Sequence, residues 1–425
     1  MHGVKCTAPE GGFVTLVWNH FATELRLLYT RTIAIFRLYS VANNPAKSVV
    51  IGVDLLFIQD GRTLGTDTYI RGLLGELQHA FNLVLFTTKS NQESFTDIAA
   101  AKRVVCNISG RNRYLRILYQ QLWLPRFAQK LGVSLMFYPG YLAPLRSRIP
   151  SIVTIHDCQF ADIPQLMPVL QRLLYWVVVP AAARRCDAIL TDTHFSKRRI
   201  CEVTGVTAEK IHVCPAAPRT PKFAPCNSPR KYVQSRFGVT VPYLLSVGSG
   251  SPHKNIAKLV ESFERYKRMR SSDCILVLAG PKQQKFEQRY PFVREVGFVS
   301  DSELDALYLA SSGFVLASLY EGFGLPVLEA MQHGVPVACS NLASLPEIAG
   351  EAAILFNPHS IEEMAEAIGV LLEDKAGRAQ LIEKGYSNVE RFSWPKCAAA
   401  TSRTVNLVLR QHGFDLALTQ IEEAA

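Results

Sequence analysis

The chain has 425 residues, of which 48% are hydrophobic and 19% are charged, so it is long enough for two ordinary globular domains and is not a disordered polypeptide. Its formal net charge of +10 predicts a basic surface that would attract nucleotide phosphates, anionic lipid or nucleic acid. No zinc-finger spacing and no repeated aromatic and basic pattern occurs, so nucleic acid is not expected as a partner.

Cysteines and apolar runs indicate the compartment. The ten cysteines are scattered without a Cys-x-x-Cys pair, which argues against a zinc site or a redox dithiol and favours free thiols in a reducing environment. No apolar run reaches the roughly 18 residues of a membrane-spanning helix. The N-terminus also lacks the basic-then-apolar pattern of a signal peptide, so a cytoplasmic protein is expected.

Residues 1–48 precede the first convincing strand and carry more basic than acidic side chains among apolar ones. Two interpretations of this N-terminal extension remain open, a helix lying in a membrane interface and a segment with little structure. Alternating apolar strands and helices follow, and they predict an α/β domain with a parallel sheet over residues 49–225. Its predicted strands are 48–58, 83–86, 135–138, 151–155 and 188–191.

Prolines and basic residues between Pro215 and Pro242 are typical of a linker. A second α/β series predicts another domain over residues 226–394, with strands at 243–247, 275–278, 314–317, 335–339 and 353–356. Doubly wound domains bind ligands at the carboxyl ends of their strands, so we expect both domains to face a shared cleft.

The most informative segment runs from Glu321 through Gly-Phe-Gly-Leu-Pro-Val-Leu to Glu329. Gly322 and Gly324 supply a turn after a buried strand, and Pro326 suits the start of a helix. A glycine loop before a helix presents free N–H groups and the positive end of the helix dipole, as phosphate sites do. Carboxylates beside such a site suit sugar hydroxyls, which predicts a nucleotide-diphosphate sugar with Glu321 on the hexose and Glu329 on the ribose. The alternative is that these acids only stabilise the helix N-terminus.

Two further features point to the same cleft. Residues 248–255 form a loop of small residues between a strand and a helix, in which Lys254 supplies a positive charge for phosphate. His156 closes the strand 151–155 and should point into the cleft, although a structural histidine at a strand end is the alternative. Thr193 and Ser196 are interpreted as helix caps.

Together these motifs resemble glycosyltransferase family 4, retaining enzymes with the GT-B fold of two Rossmann-like domains facing a central cleft. The resemblance extends from about Val49 to Ala398, and it also includes Leu345-Pro-Glu347 and Phe392-Ser-Trp394. It implies metal-independent transfer of a hexose from a nucleotide-diphosphate sugar to a hydroxyl, with no cofactor and no metal ion. The motifs look most like those of bacterial polysaccharide mannosyltransferases, so GDP-mannose is the first expectation for the donor.

The resemblance also assigns roles to residues. His156, Lys254 and Glu321 are implied at the reacting sugar and its leaving diphosphate, and Phe298 and Val299 beneath the nucleotide base. The residues implied in donor binding are Gly65, Gly248, Ser249, Gly322, Phe323, Gly324, Leu325 and Glu329. Ser249 and His253 depart from the family pattern, in which basic residues are frequent at both positions, so Lys254 is the main positive charge of this loop. The C-terminal helix, residues 395–425, is expected to cross back to the first domain.

Similar enzymes of polysaccharide assembly act on lipid-linked sugars, so the implied acceptor is lipid-linked or an oligosaccharide. Peripheral attachment to the inner face of the plasma membrane is then expected. The basic N-terminal extension and the run 172–179, with Arg184 and Arg185, suit an anionic membrane surface, whereas core packing of Tyr175 and Trp176 is the alternative. Two other functions remain open: another GT-B enzyme, such as an epimerase or a phosphorylase, and a non-enzymatic basic protein that binds lipid or nucleic acid.

Overall fold

The computed structural model describes residues 49–58, 65–98, 101–108, 110, 112–222, 228–248, 250–281 and 286–414. The expectations for the N-terminal extension and for Ser249 therefore lie outside the described residues. The predicted C-terminal helix is described as far as residue 414.

Two parallel sheets organise the described chain. Their strands are β1 (Val50–Asp54), β2 (Asn82–Thr88), β3 (Ala101–Cys106), β4 (Leu135–Tyr138), β5 (Ser151–Thr154), β6 (Ala188–Thr191), β7 (Ile211–Val213), β8 (Tyr243–Val247), β9 (Ile275–Ala279), β10 (Val293–Gly297), β11 (Gly313–Leu316), β12 (Val337–Ser340) and β13 (Ala353–Phe356). The first sheet has seven strands in the order β3-β2-β1-β4-β5-β6-β7, and the second has six in the order β10-β9-β8-β11-β12-β13. Each order reverses beside the first strand of its sheet, which opens a crevice at the carboxyl ends of the strands.

Helices cover both faces of each sheet. They are α1 (Gly65–Ala80), α2 (Arg113–Leu122), α3 (Leu124–Lys130), α4 (Gln159–Asp162), α5 (Val169–Arg185), α6 (His194–Thr204), α7 (Pro229–Phe237), α8 (Ile256–Met269), α9 (Phe286–Arg289), α10 (Asp301–Ala310), α11 (Leu325–Gln332), α12 (Leu345–Ala349), α13 (Ile361–Glu373), α14 (Lys375–Val389) and α15 (Trp394–Gln411). Helices on both faces bury both sides of the central strands, so these strands read as continuous apolar runs.

The predicted fold class, two Rossmann-like parallel-sheet domains, is confirmed. Three strands were not predicted from the sequence, namely β3, β7 and β10. All three lie at the edges of their sheets. Edge strands are short or carry charged side chains, as the Lys-Arg pair in β3 and the Arg and Glu in β10 do, so their apolar runs are interrupted.

The segment predicted as a linker contains the helix α7. This helix begins with Pro229, buries Val233 and packs against α10. It ends at Phe237 and is followed by Gly238, whose φ of 69° is readily adopted by glycine. Arg236 Nε donates to Glu303 Oε1 of α10 at 2.7 Å. The later part of the predicted linker therefore belongs to the helical layer of the second sheet.

The last described helix, α15, packs on α1 of the first sheet. Trp394 Nε1 donates to the carbonyl of Pro218 at 3.2 Å, and Cys397 Sγ donates to the carbonyl of Cys214 at 3.6 Å. Gly72 of α1 leaves room for the Trp394 indole, because an added Cβ would lie 2.1 Å from the ring. This packing joins the end of the chain to the layer that carries Gly65.

Candidate active site

Lys254 and Glu321 meet where the loops after β8 and β11 come together. Lys254 Nζ donates to Glu321 Oε1 at 2.6 Å, and Ser318 Oγ donates to the same oxygen at 2.6 Å. Burial raises the pKa of Glu321, but the charge and hydrogen bond of Lys254, the hydrogen bond of Ser318 and the charge of His253 together lower it below its usual value. The carboxylate is therefore ionised at neutral pH. Two of the three residues predicted to be catalytic are in direct contact.

The N-terminus of α11 lies next to this pair. Gly324, which precedes the helix, has a φ of 114°, a backbone conformation that residues other than glycine rarely adopt. An added Cβ there would also lie 2.7 Å from Leu345 Cδ2. No side chain of the described residues caps the first N–H groups of this helix. These groups and the helix dipole favour an anion at the end of the loop.

Gly322 brings the two halves of the chain together. An added Cβ at this position would lie 2.9 Å from the carbonyl oxygen of His156 and 3.0 Å from Asp157 Cβ. Thr193 Oγ1 and Ser196 Oγ donate to the carbonyl of Gly322 at 3.2 and 3.3 Å. Thr193 also caps α6 as predicted, since its side chain accepts from the N–H of Ser196. The glycine loop therefore packs directly against the strand end that carries His156.

His156 is held by a buried carboxylate from the neighbouring strand. Its Nδ1 lies 2.6 Å from Asp192 Oδ2, and Tyr69 packs edge-on against the imidazole at a ring distance of 4.9 Å. Burial lowers the pKa of His156, whereas the Asp192 carboxylate, Asp157 and the backbone of Pro139 together raise it, and the net pKa is raised. Asp192 orients Nδ1, and the Nε2 of the same ring is buried without a hydrogen-bond partner among the described residues.

We expect Asp192→Asn to reduce the free energy of unfolding by about 1.5–3 kcal/mol at low pH and by less at high pH. The folded state raises the pKa of His156, so the pair stabilises fully below the ordinary histidine pKa of 6.5, and this contribution is lost as the pH rises through the raised value. Urea unfolding of both proteins at about pH 5.5 and about pH 8.5 measures the difference. An equal loss at the two pH values would contradict this coupling.

Several predicted donor-binding residues lie in the same cleft. Gly65 begins α1, and an added Cβ there would lie 3.6 Å from Leu325 Cδ1, so the two residues are neighbours across the cleft. Gly248 follows β8 and donates its N–H to the carbonyl of Ala279 at 3.1 Å. An added Cβ at Gly248 would lie 3.3 Å from Lys254 Cγ. The lysine stem therefore lies over the glycine.

Other predicted positions differ from one another in exposure. The Phe323 side chain is buried and packs edge-on against Phe392 at a ring distance of 5.7 Å. It belongs to the core, so this residue can reach a donor through its backbone only. Phe298 is 76% exposed, and Val299 packs against the core. A role for Phe298 and Val299 in base binding stays a prediction.

Glu329 is buried in a polar cluster behind the glycine loop. Tyr308 donates its hydroxyl to Glu329 Oε2 at 3.2 Å, and Arg219 Nε lies 3.3 Å from Glu329 Oε1. Burial raises the pKa of Glu329, and although Arg219 and Tyr308 lower it, the net pKa is raised. The predicted ribose ligand is thus already paired with protein groups.

Three residues of the site were not assigned these roles from the sequence. Asp192 directly follows a predicted strand, so the rule that parallel strands end at one edge could have placed it beside His156. Glu347 accepts from the N–H groups of His194 and Phe195 at 2.8 and 2.9 Å, which caps α6 from the opposite half of the chain. Arg219 lies between the two sheets, and no local pattern marks it.

Metal ligands and membrane spans were searched over the described ranges. No group of three or more His, Cys, Asp and Glu side chains in that part of the chain is placed to hold a metal ion. None of the described helices combines the length and apolarity needed to cross a bilayer. The cysteines described in the structure are free thiols.

Comparisons with known proteins give the family. Residues 64–217 match the family described as Glycosyltransferase Family 4, and residues 229–388 match Glycosyl transferases group 1. The chain is 31% identical over 285 residues to the O-antigen chain mannosyltransferase B of Escherichia coli, covering 63% of this chain and 72% of that protein. It is 28% identical over 232 residues to the serotype-specific mannosyltransferase WbdA of Escherichia coli, of whose length it spans only 28%.

Solved structures share the fold at low sequence identity. The sucrose-phosphate synthase of Thermosynechococcus elongatus superposes with a TM-score of 0.67 and 18% identity, over 85% of this chain and 100% of that one. Alr3699/HepE of Anabaena, solved in complex with UDP and glucose, has a TM-score of 0.67 and 16% identity over 84% and 100% of the two chains. With its two matched domains and its 31% identical relative, this chain belongs to glycosyltransferase family 4 and has the GT-B fold.

Proposed function

We propose that this glycosyltransferase moves a hexose from a nucleotide-diphosphate sugar to a hydroxyl of a lipid-linked or oligosaccharide acceptor in polysaccharide assembly. It does so with retention of configuration and without a metal ion. The observation that carries the proposal is the contact of Lys254 with Glu321 beside the uncapped N-terminus of α11, across the cleft from His156. The names of the mannosyltransferase relatives support mannose as the hexose and GDP-mannose as the donor.

The charges of the cleft suit departure of a nucleoside diphosphate. Negative charge grows on the diphosphate as the bond to the sugar breaks. The ammonium of Lys254 and the N–H groups that begin α11 stabilise it, because they are fixed in place before the reaction. Glu321 is ionised and accepts hydrogen bonds from hexose hydroxyls.

The step itself exchanges one bond for another on the same face of the sugar. The bond from the anomeric carbon to the phosphate oxygen breaks, and the acceptor oxygen forms the new bond to that carbon. The acceptor proton passes to the departing phosphate oxygen, so no protein nucleophile is required. His156, oriented by Asp192, contacts hydroxyl groups of the donor sugar through Nε2.

The test uses the full chain in two measurements. Thermal shifts with GDP, UDP, ADP and dTDP identify the nucleotide, because a ligand raises apparent stability by mass action, and we expect the largest shift with GDP. The matching sugar nucleotide is then incubated with and without a polyprenyl-linked saccharide, in the presence and absence of EDTA. Release of nucleoside diphosphate that requires the acceptor and survives EDTA supports the proposal. Release or epimerisation without acceptor favours the other GT-B reactions, and loss of release with EDTA overturns metal independence.

Helix α5 presents an apolar stripe on the outside of the first domain. The five apolar residues of this stripe are each 46–70% exposed, and they are Val169, Leu170, Leu173, Trp176 and Val177. Tyr175, by contrast, points inward and stacks on Tyr141 at a ring distance of 6.1 Å. An exposed apolar stripe of this kind marks a protein or membrane contact.

The sequences of helix α5 and of the region before it are basic, which suits anionic lipid. Helix α5 carries Arg172, Arg184 and Arg185 and no acidic residue. Residues 98–156, which include α2 and α3, contain no acidic residue and nine basic ones, Lys102, Arg103, Arg111, Arg113, Arg116, Arg126, Lys130, Arg146 and Arg148. Each basic side chain near an anionic bilayer contributes about 1 kcal/mol of attraction. Attachment of the first domain to the inner face of the plasma membrane fits a lipid-linked acceptor.

We expect the protein to sediment with phosphatidylglycerol vesicles at low salt and to be released in part at high salt, because its basic side chains are screened. Replacing Leu173 and Val177 together by serine should weaken this binding, as should removal of residues 1–48. Val370→Ser is the matched control, since Val370 is 49% exposed on a helix of the second domain. If the unaltered protein stays in the supernatant at low salt, a soluble acceptor becomes the better hypothesis.

A further inference from the structure

We propose that Arg219 positions Glu329 for the ribose, so that recognition of the nucleotide depends on the segment between the two sheets. This inference rests on the proposed function, in which Glu329 accepts hydrogen bonds from ribose hydroxyls. Arg219 acts through Glu329, which makes it a positioning residue.

The guanidinium of Arg219 joins two helices of the second domain. Its Nη2 donates to Asp305 Oδ1 of α10, while its Nε lies 3.3 Å from Glu329 Oε1 of α11. Asp305 Oδ2 accepts from the N–H of Lys222 at 2.6 Å, so the same segment contacts this acid twice. The side chains of Arg219, Asp305 and Glu329 are only 11%, 0% and 9% exposed. The planar fork of arginine suits a bridge between two carboxylates, which a lysine cannot form in the same way.

The backbone before Arg219 is also held in place. The carbonyl of Pro218 accepts from Trp394 Nε1 of α15 at 3.2 Å. Helix α15 packs in turn on α1, which begins with Gly65 beside the cleft. The rotamer of Arg219 is thus set by packing on one side and by two carboxylates on the other. Preorganisation of this kind keeps a binding carboxylate in its productive position.

Burial gives Arg219 its electrostatic effect. Burial raises the pKa of Glu329 and Asp305 adds to this effect, whereas Arg219, Tyr308 and His333 lower the pKa, which in sum is raised. Ribose hydroxyls donate hydrogen bonds most strongly to an ionised carboxylate. Loss of the one arginine charge in this group therefore leaves a buried acid that protonates at a higher pH and accepts ribose hydroxyls less well.

Arg219 Nη1 is buried and has no hydrogen-bond partner among the residues that the structure describes. A buried unpaired donor is costly, and it is satisfied if a polar group of a ligand or a bound water reaches it. A ribose hydroxyl bound at Glu329 would be such a group.

The experiment measures how much the ribose hydroxyls contribute to binding. Calorimetry compares GDP with 2′,3′-dideoxy-GDP on the full-length protein and on Arg219→Gln, Arg219→Lys and Glu329→Gln; UDP and its dideoxy analogue replace them if the chain prefers uridine. We expect the unaltered protein to bind the ribonucleotide at least about tenfold more tightly than the dideoxy form. Arg219→Gln and Glu329→Gln should reduce this ratio to less than about threefold, and Arg219→Lys should be intermediate.

Controls separate this role from a structural one. Arg236→Gln removes the arginine of an exposed pair with Glu303, which lies on α10 as Asp305 does. This variant should leave the ratio of ribonucleotide to dideoxynucleotide affinity unchanged. The double variant of Arg219 and Glu329 should lose no more than either single variant, because both act on one contact. As the pH is lowered from about 8 to about 6, the affinity of Arg219→Gln for the ribonucleotide should also fall more steeply than that of the unaltered protein.

The outcomes distinguish this inference from the proposed function. If the unaltered protein binds ribonucleotide and dideoxynucleotide equally, the assignment of Glu329 to the ribose is wrong. If it discriminates and Arg219→Gln discriminates just as well, Arg219 does not position Glu329, although the proposed function stands. Should Arg219→Gln fail to fold by circular dichroism, Arg219→Lys decides, and an unchanged ratio in that variant overturns the inference.

Discussion

Glu321→Gln and Lys254→Ala are each expected to lower turnover at least about tenfold, which corresponds to about 1.4 kcal/mol or more of lost transition-state stabilisation. Lys254→Ala removes the ammonium that stabilises the leaving diphosphate. Glu321→Gln replaces an ionised acceptor by a neutral amide and weakens its hydrogen bonds to the hexose. Because the two side chains contact each other at 2.6 Å, we expect their effects to be less than additive in the double variant.

Steady-state assays with the donor identified by thermal shift measure these effects. Lys258→Ala is the matched control, since Lys258 lies one turn beyond Lys254 and donates to the carbonyl of His359 on the surface. This control should keep turnover within about twofold, as surface substitutions away from a site do. Circular dichroism establishes that each variant is folded. Near-normal turnover in both Lys254→Ala and Glu321→Gln would remove these residues from the proposed chemistry.

Gly280→Ala is expected to lower the free energy of unfolding by about 2–4 kcal/mol and to weaken nucleotide binding. Gly280 has a φ of 136°, a backbone conformation that residues other than glycine rarely adopt. An added Cβ would lie 1.8 Å from the carbonyl oxygen of Gly248, and a backbone atom cannot move aside by rotating a side chain. The loop that carries Lys254 would therefore be displaced.

Urea unfolding and calorimetry with nucleoside diphosphate measure the two effects of Gly280→Ala. Gly75→Ala serves as the control, because Gly75 lies within α1 and an added Cβ there meets no atom within 4 Å. Alanine is the better helix former, so this control should be neutral or more stable by up to about 1 kcal/mol. If Gly280→Ala matched the control in stability and in affinity for nucleoside diphosphate, the close approach of Gly248 and Gly280 would have no role in shaping the loop of residues 248–255.

The central strands and the turn that leads into helix α11 were predictable from the sequence. Buried parallel strands need apolar side chains on both faces, so the central strands stand out as apolar runs. A positive φ favours glycine and a helix start favours proline, so Gly324 and Pro326 mark the turn into α11. Lys254 and Glu321 follow strands of one predicted sheet, and the carboxyl ends of parallel strands converge. Their presence in one cleft followed from this rule, whereas the edge strands β3, β7 and β10 lacked a continuous apolar pattern.

The pairing and ionisation of the site were decided by the tertiary structure alone. His156 meets Asp192, Glu329 meets Arg219, and Glu347 caps a helix from the opposite half of the chain. The partners in each pair are far apart in sequence, so no periodicity or motif spacing links them. Whether a carboxylate is ionised depends on burial and on charges within a few ångströms, and these exist only after the chain has folded. For this reason Glu321, beside Lys254, has a lowered pKa, while Glu329 has a raised one despite its position in the same motif.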